Sequence, residues 1–137
     1  MDKQFKSFSD NIIFVDTEFS NLNPYEGEIL SVGLVKLDGK ELYLELEYEG
    51  IVSEWVQKNV LPLLIQPKVS REDAVTKIKN FIDDNKPHIV GYINNFDSIY
   101  LYKLFGIENF NSTFDMIPID FASMLFAVGA NPESYFK

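Results

Sequence analysis

Two carboxylates two residues apart, Asp16 and Glu18, close the apolar run Ile12-Ile13-Phe14-Val15. Side chains of a β-strand return to the same face every second residue, so the pair is expected on one face, roughly 6 to 7 Å apart along the strand. Like charges that close resist joint ionisation unless a cation lies between them. Ligands that are all oxygen suit Mg2+ or Mn2+ far better than zinc. The other reading of the triplet is the polar punctuation of a buried strand. A further acid, Asp97, follows Asn94-Asn95-Phe96 near the start of a helix, where it could serve as a helix cap or as a ligand. The single histidine, His88, falls at a strand start, away from any site built at strand ends, and reads as non-catalytic. Asp120 reads as the cap of the helix after it.

The elements that must position these acids follow from periodicity. After the first strand, residues 20–27 carry the Asn, Pro and Gly of a loop. A second strand is expected over 28–37 and ends at Asp38-Gly39, a strong hairpin signal. The third alternates Leu42, Leu44 and Leu46 with Glu41, Tyr43, Glu45 and Glu47, and the glutamates read as a solvated sheet face. Ser53 caps a short helix ended by Pro62, with Trp55 expected as a packing anchor. Ser70 opens a second helix whose Ala74, Val75, Ile78, Phe81 and Ile82 have helical spacing. A fourth strand over 87–93, a helix over 97–105 closed by Gly106, a fifth short strand over 114–119 and a helix over 121–128 complete the chain. The order predicts one α/β domain over residues 1–137, an antiparallel meander on one side of the sheet and parallel crossovers on the other.

Composition narrows the chemistry. A chain of 137 residues is long enough to bury a core, and its 46% apolar and 24% charged residues exclude a disordered or fibrous protein. Absence of cysteine excludes disulfides, thiol catalysis and Cys-ligated zinc, and fits a reducing cytoplasm. No apolar run reaches the roughly 20 residues that span a bilayer, and Met1-Asp2-Lys3-Gln4 does not open a signal peptide, so a cytoplasmic location without membrane contact is expected. The net charge of −9 argues against a conventional basic nucleic-acid binder. It leaves open an enzyme that meets phosphates through divalent ions, because bound ions reverse the local field.

Residues 13–19, Ile-Phe-Val-Asp-Thr-Glu-Phe, resemble the first motif of the DEDD 3′–5′ exonucleases, and residues 91–97, Gly-Tyr-Ile-Asn-Asn-Phe-Asp, resemble their second. The segments 54–62 and 69–71 are further similar to the small mycobacterial-type exoribonucleases related to RNase T. The resemblance implies a ribonuclease H-like fold and two-metal release of nucleoside 5′-monophosphates from the 3′ end of single-stranded RNA or DNA, with RNA or short oligonucleotides favoured. It implies Asp16, Glu18 and Asp97 as ligands of two Mg2+ or Mn2+ ions. Thr17, Phe19 and Phe96 become candidate contacts of the terminal nucleotide, with Phe19 and Phe96 also readable as core.

The family's third motif is absent. No Asp of the last segment has a His five residues or a Tyr four residues before it: Asp115 follows Phe110 and Asn111, and Asp120 follows Asp115 and Met116. A C-terminally incomplete domain is therefore expected, lacking its last helix, a fourth ligand and a general base, a loss of about 10² to 10⁴ in rate. Apolar surface left uncovered predicts a homodimer. The competing reading is a catalytically silent domain that binds a nucleotide or a protein. A carboxylate-pair glycosidase is disfavoured, since nothing in the sequence builds a sugar cleft.

Overall fold

The computed structural model describes residues 7–136; Met1 to Lys6 and Lys137 lie outside the described residues, and with them the reading of the N-terminus as no signal peptide. A six-stranded sheet runs in the order β4-β3-β2-β1-β5-β6. Its strands are β1 (Ile12–Phe19), β2 (Ile29–Lys36), β3 (Glu41–Leu46), β4 (Lys68–Val69), β5 (His88–Gly91) and β6 (Ile119–Asp120). β1, β2 and β3 form the expected antiparallel meander, while β4, β5 and β6 join in parallel. The helices are α1 (Glu54–Asn59), α2 (Arg71–Ile82), α3 (Asn95–Phe105), α4 (Ile107–Thr113) and α5 (Phe121–Ala127). None of these helices is long and apolar enough to cross a membrane.

Helix boundaries follow the caps. Ser53 and Ser70 accept hydrogen bonds from the Val56 and Asp73 N–H groups, and Gly106, at φ 72°, ends α3. Asp120 accepts from both the N–H and the hydroxyl of Ser123, as expected of a cap. It also takes the N–H of Ile93 at 2.7 Å, holding a β-branched residue at φ 54°, a backbone region such residues rarely enter. Asp120 thereby fixes the turn between β5 and α3.

One face of the sheet is closed by α2, α3 and α4. Ile13, Val15, Val32 and Leu34 pack there against Ala74, Ile78, Ile82, Leu101, Phe105 and Phe114. The expectation for 114–119 is corrected: Phe114 is a fully buried residue just past α4, and only Ile119 and Asp120 pair as a strand. Helix α4 and the two-residue β4 carry too few residues for periodicity to show them.

A register shift at Glu18/Phe19 matters for the opposite face. Alternation from Leu34 and Val32 would put Leu30 in the main core, but the bulge places Ile29 there instead. Leu30 packs with Val56 and Val60 and so docks α1 over the second face. Burial of these aliphatic side chains is worth about 1.5 to 3 kcal/mol each.

The solvated glutamate face is also corrected at one position. Glu45 is only 1% exposed, and its carboxylate accepts from Lys68 Nζ at 2.5 Å, the Gln66 N–H at 2.9 Å and the Tyr43 hydroxyl at 3.0 Å. Burial works to raise its pKa, but these hydrogen bonds outweigh it and hold Glu45 below the usual carboxylate value. The strand β4 brings Lys68 opposite Glu45, and no signal within β3 announces that partner.

Candidate active site

Along β1, Ile13, Val15 and Thr17 are buried while Phe14, Asp16 and Glu18 are exposed, so the strand does present both acids on one face. Across the sheet Asp16 lies opposite Gly33, and Gly33 opposite Tyr43; the next row is Glu18, Ser31 and Glu45. Trp55, Asn59, Val60, Leu63 and Leu64, from α1 and the turn after it, stand over these rows. Between them lies a cleft of about 330 Å³. A second, more apolar cleft of about 460 Å³ adjoins it, lined by Thr17, Glu18, Phe19, Leu22, Trp55 and Val56. Glu18 and Trp55 border both.

Asp97 is not a helix cap. It occupies the third position of α3, is 7% exposed, and reaches back to β1. Its Oδ1 accepts the Thr17 N–H at 2.9 Å and the Thr17 hydroxyl at 2.6 Å. The structure thus brings Asp97 against the residue lying between Asp16 and Glu18, and Thr17 serves as the clamp that orients it.

The three acids feel one another. Dehydration raises the Glu18 pKa, and the charges of Asp16 and Asp97 raise it further. Burial likewise raises Asp97, and Asp16 adds to this, while the Thr17 hydrogen bonds oppose it. Among the described residues none of the three has a Lys, Arg or His partner. Uncompensated carboxylates of this kind suit a hard divalent cation by charge and by donor type. Among the described residues, however, no three metal-ligating side chains converge into a ready-made cage. The donor chemistry therefore fits Mg2+ or Mn2+.

The raised pKa of Glu18 carries a sign. A group whose folded pKa exceeds its unfolded value of 4.5 favours folding below that pH, and this advantage is lost as pH rises through the folded value. Glu18→Gln is expected to raise the urea midpoint at pH 7 without divalent ions and to leave it unchanged below pH 4. Equal midpoints at pH 7 would refute the repulsion.

Phe19 and Phe96 stack on each other at 5.6 Å, and Phe19 stacks on Tyr100 at 4.4 Å. Both pack against the core, and Phe19 also lines the apolar cleft. Trp55, expected as a packing anchor, is 65% exposed and stands at the mouth of both clefts. It and Leu22 are the site residues that sequence reasoning missed, although an exposed Trp beside a buried Val56 fits a helix with one docked face. His88 pairs with Ile12, at the far end of β1 from the acids, and its Nδ1 lies 3.2 Å from both Asp115 and the Ile117 carbonyl.

No family model matches the chain, and no curated protein does. Solved structures do match its fold. Exonuclease I from Methylocaldum szegediense superposes with a TM-score of 0.58 at 16% identity over 83% of this chain and 28% of that one. The metal-free E. coli exonuclease I complex with single-stranded DNA gives 0.54 at 15% identity over 69% of this chain and 23% of that one. The same enzyme with a dT13 oligonucleotide gives 0.53 at 14% identity over the same shares. The chain spans about a quarter of the length of these proteins. At such identities the likeness establishes architecture: the mixed six-stranded sheet with flanking helices is the ribonuclease H-like fold of exonuclease I.

Proposed function

We propose that this chain is a nuclease-fold domain that binds the 3′ end of a single-stranded nucleic acid, with RNA favoured, and hydrolyses it to nucleoside 5′-monophosphates with Mg2+ or Mn2+. The carrying observation is the set of three carboxylates without a cationic partner among the described residues: Asp16 and Glu18 line a cleft walled by an exposed indole, and Asp97 is clamped to Thr17 between them. Asp16 and Glu18 would hold the cations from β1 and Asp97 from α3. The bound cations supply charge stabilisation for phosphodiester displacement. Thr17 keeps Asp97 turned towards β1. Trp55 and Leu22 offer a stacking and wedging surface for the terminal base, a contact worth about 1 to 3 kcal/mol. The net charge of −9 makes affinity depend on those cations.

Trimming of a 5′-labelled single-stranded oligonucleotide with and without Mn2+, alongside calorimetric Mn2+ titration, tests this reading. A ladder shortening from the 3′ end only with metal supports it; no metal binding and no trimming refutes it. The catalytically silent reading is favoured by one observation, the absence of a preformed three-ligand cage among the described residues, and that second outcome is what it requires.

The domain is further proposed to self-associate. Met116, Ile117, Phe121, Met124, Phe126 and Val128, around the β6 edge and α5, are all exposed by 44% or more. Light scattering is expected to give a dimer mass at high concentration. A monomer mass throughout would overturn it.

A further inference from the structure

We propose that Tyr43 determines sugar specificity in this cleft, acting as an oriented hydrogen-bond acceptor for the 2′-hydroxyl of a nucleotide lying over Gly33. The inference rests on the nuclease reading and deepens it. Asp16, Gly33 and Tyr43 form one row across β1, β2 and β3. Neither a turn nor crowding requires the glycine: its φ is not positive, and a Cβ there would meet only the Asp16 carbonyl, at 3.8 Å. What the missing side chain does is keep the floor open between the acids and Tyr43.

The direction of the Tyr43 hydrogen bond follows from what lies behind it. All three Lys68 protons are spent, on Glu45, the Leu64 carbonyl and the Gln66 carbonyl. Glu45 is a buried carboxylate that only accepts, and it takes the Tyr43 proton at 3.0 Å. Its proton is held inward on Glu45 and the Ser31 hydroxyl already donates to its oxygen, so what the half-exposed Tyr43 side chain has left for the cleft is its remaining lone pair. A ligand must therefore bring the proton. Phosphodiester oxygens have none, whereas a ribose 2′-hydroxyl does and deoxyribose lacks it.

The test measures binding of fluorescent hexa-adenylate in Ca2+, which shares the preference for oxygen ligands. The all-ribo strand is compared with strands carrying one 2′-deoxy sugar, either last or penultimate, on wild type and on Tyr43→Phe. One deoxy strand is expected to bind wild type about tenfold more weakly, the worth of one net hydrogen bond. Tyr43→Phe should lose the same factor on the all-ribo strand and nothing further on that deoxy strand. Equal binding of all strands by wild type, or losses that simply multiply, overturns the role of Tyr43 while the nuclease reading stands. Failure to bind any strand overturns both.

Discussion

Asp16→Asn is expected to abolish the Mn2+-dependent rise in melting temperature and to slow 3′ trimming by about 10³-fold or more, since cation charge stabilisation is worth several kcal/mol. Asp16 carries this effect because it shares the exposed face of β1 with Glu18 and its charge acts on both Glu18 and Asp97. Removing that charge relieves repulsion between like groups, so the metal-free variant should unfold no more easily than wild type. Lost metal response with retained stability distinguishes a ligand from a structural residue. Asp97→Asn is the companion variant: its amide oxygen can still accept from the Thr17 N–H and hydroxyl, preserving the clamp while discarding the anion. A Mn2+ response in Asp16→Asn equal to wild type, with trimming intact, would sink the assignment.

Lys68→Met is expected to cost about 1 to 3 kcal/mol of stability, read as a lower urea midpoint at pH 7. Glu45 stays buried in the variant, having lost the partner at 2.5 Å that offsets its dehydration. The pH dependence follows from the lowered folded pKa of Glu45. Its stabilisation is present in wild type above the unfolded value of 4.5 and is lost as pH falls through the folded value. A lone buried Glu45 behaves in the opposite sense, because protonation relieves it. The gap between wild type and Lys68→Met should therefore narrow as pH falls below about 4. Adding Glu45→Gln to Lys68→Met should recover part of the loss at pH 7, since it removes the stranded charge. A gap that stays constant with pH would mean that the lysine acts through packing and its two carbonyl contacts instead.

Both predictions concern acids whose roles were unequally legible. Period-two alternation in 12–19 was enough to put Asp16 and Glu18 on one face, since strand geometry leaves no other arrangement. The Ser53, Ser70 and Asp120 caps were legible for the same reason: a cap is a bond between neighbours in sequence. Asp97 had two local readings, cap and ligand, and its partner 80 residues away removes the first. Glu45 looked solvated because alternation reports which face a side chain takes, while burial depends on what covers that face. Its cover arrives with β4, two residues long and without a periodic signal.

The sequence by itself thus determined the longer strands and helices, the shared face of the first two acids and the kind of cation that would suit them, because each follows from spacing along the chain. Tertiary structure alone decided that Asp97 turns to Thr17, that Glu45 is sealed by Lys68, and that a bulge seats Leu30 under α1 so that Trp55 stands free over the cleft. Each of these is a contact between distant segments, set by how the layers pack.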